Sequence, residues 1–114
     1  MYNFTAFELK DALLRAQRRG VRVRVVCDAR EASEGNSMIP VLITSGVPVK
    51  QLQKSGQGLM HHKFMVVDKE VLITGSYNWT VSAEKRNQEN ILVLSDAPAV
   101  RAYQNEFDRL WKKK

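Results

Sequence analysis

Between residues 5 and 28 the spacing of apolar side chains changes from three-to-four to two, and this change limits the folds open to the chain. In "TAFELKDALLRAQRRG", Leu9, Ala12, Leu13 and Ala16 fall on one helical face. Thr5 stands in capping-box spacing with Glu8, and Gly20 follows as the stop, so a helix is predicted over residues 5–19. "VRVRVVCD" then alternates, with Val21, Val23 and Val25 on one face of a strand and Arg22 and Arg24 on the other. A helix with one apolar stripe leading directly into a strand needs a sheet to pack on.

The rest of the chain repeats the theme with a variation. "EASEGNS" reads as a loop, and "SMIPVLITSG" as a short helix with Pro40 in its first turn and Gly46 at its end. "VPVKQL" is extended, and "QKSGQG" is a connection. "LMHHKFMVVD" and "VLITGSYN" read as antiparallel strands joined by a tight turn at Asp68, Lys69 and Glu70. "WTVSAEKRN" is a loop or short helix, and "QENILVLSD" is a strand. "APAVRAYQNEFDRLWKKK" is a closing helix, capped by Asp96 with Pro98 in its first turn. Val100, Tyr103, Phe107, Leu110 and Trp111 form its buried face. Strands alternate with helices until a hairpin intervenes, which predicts an α/β fold with a mixed sheet covered by helices on both faces. The length of 114 residues suits one domain over residues 1–114.

Composition narrows the functional classes. Apolar residues make up 44% and charged residues 26%, as in a soluble globular domain. No window approaches the roughly 18 uninterrupted apolar residues of a membrane span. "MYNFTAFELKDALL" lacks the basic and apolar regions of a signal peptide, so the chain reads as soluble, with its compartment unspecified. Cys27, the only cysteine, excludes an intrachain disulfide and a cysteine-based zinc cluster, and reads as a small buried hydrophobe. The net charge of +6 favours polyanions, either nucleic acid or anionic lipid headgroups. Arg15, Arg18, Arg19, Arg22 and Arg24 concentrate part of it, although such residues more often form solvated faces, as does the terminal lysine run.

The stretch "MHHKFMVVD" carries the chemistry. Imidazole and ammonium groups interrupt a β-branched run, and alternation puts His61 and Lys63 on one face and His62 on the other. Asp68 falls on the opposite face or in the turn. The hairpin partner adds Ser76 and Asn78 on a shared face, and Gly75 permits close backbone approach. This set suits a phosphodiester. Lysine and asparagine hold non-bridging oxygens, and histidine attacks phosphorus or moves a proton at neutral pH. Glu89 is the candidate acceptor for the other ring nitrogen of His61. Two adjacent histidines that face apart, without HExxH spacing, argue against a metal site. His62 and Trp79 read as packing residues.

"HHKFMVVD" matches the HxKx4D pattern of the phospholipase D superfamily through His61, Lys63 and Asp68, and "GSYNW" and "NQEN" match the elements that follow it there. "ALLRAQRRGVRVRVVCD" and "FDRLW" extend the resemblance over nearly the whole chain. The chain most resembles the small single-motif nucleases of the Nuc and Zucchini type. The resemblance implies a site built from two HKD motifs, supplied by a homodimer or by a second half in a longer chain. It also implies a phosphohistidine on one His61, with a second His61 as acid and then base. Lys63, Ser76 and Asn78 would bind phosphate, Glu89 would orient His61, Asp68 would be structural, and no metal or cofactor would be needed. Family domains usually begin with two further strands, which end near "YNFT", so the chain is expected to lack them. The expected substrate is DNA or RNA. A phospholipid diester, or a non-catalytic nucleic-acid-binding half-site, is the alternative.

Overall fold

In the computed structural model, which describes residues 1–53, 59–80 and 87–113, strand β1 (Val25–Asp28) is buried at every position. Alternation sends its side chains into two different cores. Val25 and Cys27 pack with Phe4, Leu14, Ile39 and Leu42, beneath α1 (Phe7–Arg18) and α3 (Ile39–Thr44). Val26 packs with Leu52, Met60 and Leu110, where Phe107 and Trp111 of α4 (Ala97–Trp111) close over it. Helices therefore cover both faces. Each fully buried aliphatic side chain here, such as Ile39 or Leu42, contributes about 1.5–3 kcal/mol.

β1 pairs in parallel with β2 (Val49–Leu52), with Val25 opposite Val49. A parallel pair needs a crossover, and α2 (Ala29–Ala32) and α3 provide it. β3 (Phe64–Val67), β4 (Val71–Gly75) and β5 (Ile91–Leu94) form an antiparallel sheet in that order. Asp68 and Lys69 take φ of 53° and 56° in the β3–β4 turn, where the Glu70 N–H donates to the Val67 carbonyl at 3.0 Å. Two successive left-handed residues match the right-handed twist of the strands they join. Among the described residues the parallel and antiparallel pairings thus form two sheets. The segment Met1–Phe4 bridges them: the Met1 ammonium donates to the Val26 carbonyl at 2.7 Å, and the Tyr2 N–H to the His62 carbonyl at 2.9 Å.

Several local expectations hold. Gly20 closes α1 with φ of 90°, while the Val21 N–H reaches the Ala16 carbonyl at 3.1 Å, a left-handed helix stop. Asp96 caps α4 through the Ala99 N–H at 3.1 Å. Cys27 is 1% exposed, and burial pushes its thiol up to about 11.

Others are corrected. Thr5 does not cap α1. The N–H groups of Thr5 and Ala6 both donate to the Trp79 carbonyl at 2.8 Å, so this stretch is held extended and the helix begins at Phe7. The loop expected after β1 contains α2, because Asp28 accepts from the N–H groups of Arg30 and Glu31 at 3.0 and 3.1 Å. The strand expected from Val21 starts at Val25, and the one expected from Leu59 starts at Phe64. "QKSGQG" beyond Gln53, the middle of "WTVSAEKRN" and Lys114 lie outside the described residues.

Candidate active site

His61 and Lys63 precede β3, and Ser76 and Asn78 follow β4. Because the two strands are antiparallel, all four side chains gather at the same end of the hairpin. The alternation expected at 61–63 survives outside the ladder, since the Tyr2 N–H holds the His62 carbonyl as a neighbouring strand would. His61 turns to one side, where the Lys63 Nζ lies 2.8 Å from its Nδ1, 3.3 Å from its Nε2 and 3.0 Å from its carbonyl oxygen. An ammonium has only donors, so the ring nitrogen it faces acts as the acceptor in this contact. Burial lowers the pKa of Lys63, and the negative charge of Glu89 works against that shift.

Gly75 joins the two halves of the site. Its φ is +154°, and a Cβ there would meet the Asn90 carbonyl oxygen at 2.1 Å. This close approach brings Ser76 against the segment before β5. The Ser76 N–H donates to the Asn90 carbonyl at 3.1 Å, and the Asn90 N–H to the Ser76 Oγ at 3.2 Å. The Ser76 hydroxyl donates to the Glu89 carboxylate. Glu89 therefore pairs with Ser76 and acts electrostatically on Lys63; the pairing with His61 expected from the sequence is not the one seen.

The Asn78 amide has a defined orientation. Its Oδ1 accepts from the Asn3 N–H at 3.2 Å. A backbone N–H only donates, so it selects the oxygen and leaves the two protons of Nδ2 for another acceptor. Asn3 belongs to no recognisable motif, and its part in the site became visible only when the chain was folded.

His62 lies on the other side of the segment. Its Nε2 is 3.2 Å from Glu106, and its ring meets Phe64 edge-on with centroids 5.5 Å apart. Glu106 also takes two hydrogen bonds from Arg109, at 2.8 and 2.7 Å. Arg109, and then His62, hold the Glu106 carboxyl down at about 2. A cleft of about 430 Å³ runs between these groups, lined by His61, Lys63, Thr74, Gly75 and Tyr103 among others. Asp68 sits in the turn at the far end of β3 from His61, one of the two positions expected for it. Trp79 packs edge-on against Phe4 at 5.0 Å, as a core residue does. Arg24 is occupied, its guanidinium 5.0 Å from the Phe107 ring, 5.3 Å from the Trp111 ring and 3.7 Å from Asp108. Arg15, Arg18, Arg19 and Arg22 stay exposed. Among the described residues no three His, Cys, Asp or Glu side chains gather as a metal-ligating set.

The His61–Lys63 contact and the Ser76 and Asn78 side chains thus stand together at one end of a hairpin in an α/β frame. The family described as cardiolipin synthase, phospholipase D-like domain, matches residues 1–111, and the chain belongs to that family. The chain is 47% identical over 112 residues to the mitochondrial cardiolipin hydrolase of Xenopus tropicalis, a match covering 98% of this chain and 52% of that protein. The fold superposes on Nuc of Salmonella typhimurium, a phospholipase D family member, with a TM-score of 0.86 and 31% identity over 96% of this chain and 73% of that one. NucT from Helicobacter pylori gives a TM-score of 0.87 at 22% identity, covering 98% and 76%. The chain spans about half the length of the curated relatives it matches.

Proposed function

We propose that residues 1–114 form one phospholipase D-like domain that contributes half of a metal-independent phosphodiesterase site, acting as an endonuclease on DNA or RNA. The convergence of His61, Lys63, Ser76 and Asn78 at one hairpin end carries this reading. In the free chain the Lys63 ammonium rests on His61. A phosphate oxygen offers it a full negative charge, a stronger partner than an imidazole nitrogen. Transfer of Lys63 to the phosphate frees the ring for attack.

Two protomers complete the site around a two-fold axis. The ring nitrogen of one His61 forms a bond to phosphorus while the bond from phosphorus to the leaving oxygen breaks. His61 of the second protomer donates the proton that the leaving oxygen needs. Water then attacks the phosphohistidine and gives its proton to that second His61, which regenerates both histidines. Lys63 and the Asn78 Nδ2 hold the non-bridging oxygens as charge builds. Ser76 assists, and Glu89 fixes its hydroxyl. The net charge of +6 draws a polyanion to the site.

The name of the relatives at 47–48% identity favours a second reading, in which the diester belongs to a phospholipid such as cardiolipin. The same machinery serves both. The test offers labelled single- and double-stranded DNA and RNA, and cardiolipin vesicles, to the protein in excess EDTA beside His61→Ala. The proposal expects cleavage of a nucleic acid that falls by a factor of about 10³ or more in the variant. Cleavage of cardiolipin alone supports the second reading. Equal cleavage by the variant overturns the mechanism, and no cleavage of any substrate points to a non-catalytic half-site.

A further inference from the structure

Tyr2 is in contact with both reactive side chains of the hairpin and belongs to no motif. Its ring centroid lies 4.4 Å from that of His61, with the planes tilted by 44°. The Lys63 Nζ stands 5.4 Å from the same centroid. Two anchors fix the tyrosine. Its N–H donates to the His62 carbonyl at 2.9 Å, and its hydroxyl donates to the Glu31 carboxylate at 3.0 Å. Glu31 lies in α2, whose N-terminal end is capped by the buried Asp28. The ring is thus tied at its backbone to the histidine segment and at its hydroxyl to the parallel half of the fold.

The placement has a physical consequence for His61. That side chain is exposed, and its only polar contact among the described residues is with Lys63, which must leave when phosphate arrives. Without a second wall the imidazole would gain rotamer freedom at the moment it must attack. The Tyr2 ring supplies an apolar wall that does not move with Lys63. Its π face also provides a favourable surface for the Lys63 ammonium, which burial otherwise disfavours.

We infer that Tyr2 is a positioning residue of this site, holding the His61 imidazole in its reactive orientation and bearing the Lys63 ammonium on its ring face. The inference rests on the reading of His61 and Lys63 as phosphodiesterase machinery. It assigns the ring, and not the hydroxyl, the direct role, so phenylalanine should serve and an aliphatic side chain should not.

The experiment compares wild type, Tyr2→Phe and Tyr2→Leu in two ways. The first is the ¹⁵N spectrum of the imidazoles in the free protein across pH, with His62 as the internal reference, because Glu106 holds that ring independently of Tyr2. Tyr2→Leu should move the His61 shifts toward tautomer-averaged values and leave those of His62 in place, while Tyr2→Phe should match wild type. The second is diester hydrolysis, in which Tyr2→Leu should lower kcat at least about tenfold with little change in KM, and Tyr2→Phe should restore it. Wild-type His61 shifts in Tyr2→Leu overturn the inference. So does a Tyr2→Leu loss that appears in KM alone. If the wild type hydrolyses no diester, the functional reading fails, and the imidazole spectrum still decides the positioning role. If Tyr2→Leu does not fold, Tyr2→Met is read by the same criteria.

Discussion

A Cβ on Gly75 would lie 2.1 Å from the Asn90 carbonyl oxygen. The contact occurs where β4 ends and Ser76 crosses to Glu89, so the packing that admits only glycine is also what joins two parts of the site. Gly75→Ala should destabilise the fold by about 1–3 kcal/mol from backbone strain alone, with the clash added to it. Urea denaturation should show the loss, and the variant should lose phosphodiesterase activity even where it remains folded, because Ser76 and Glu89 no longer meet. A variant as stable as wild type would contradict the geometry.

Burial lowers the pKa of Lys63 and Glu89 raises it. If the charged ammonium grips phosphate, kcat/KM should fall on the alkaline side at a pH below the ordinary lysine value of 10.5. Glu89→Gln removes the opposing charge and should move this limb to still lower pH. Lys63→Met should cost on the order of 10²–10³ in kcat, the range for loss of one donor to a developing charge. A pH–rate profile recorded for the three proteins checks the set. An alkaline limb unmoved in Glu89→Gln would remove Glu89 from the electrostatics of the site.

Glu106 titrates far below an ordinary carboxyl, at about 2 against 4.5, because Arg109 and then His62 favour its charged form. The folded state thus binds this proton more weakly than the unfolded chain. The stabilisation is fully present above about pH 4.5 and is lost as the pH falls toward 2. Glu106→Gln should remove that part of the acid transition and leave stability at lower pH close to that of wild type. Both partners are substantially exposed, so the effect should be modest and should shrink in high salt. Thermal melts across the acid range, at two ionic strengths, measure it.

The parts of this protein that were legible in its sequence share a property: each depends on neighbours close along the chain. The stop at Gly20, the cap at Asp96 and the tight turn after Val67 are local, and short stretches of sequence announce them. The pairing of His61 with Lys63 and the separation of His62 follow from alternation over three residues. Thr5 misled for the same reason. Its spacing to Glu8 is a valid capping signal, but the Trp79 carbonyl, far along the chain, took the backbone N–H groups of Thr5 and Ala6 first.

The sequence alone determined the alternation of helix and strand, and the placing of His61 and Lys63 on one face with His62 on the other, because periodicity and short-range spacing are properties of a single segment. Tertiary structure alone decided the partners. Asn3 orients Asn78 across 75 residues, Glu89 serves Ser76 and Lys63 in place of His61, and Tyr2 lies against His61. Such contacts depend on strand register and on which carbonyl or ring a distant segment happens to meet, and no local pattern encodes either.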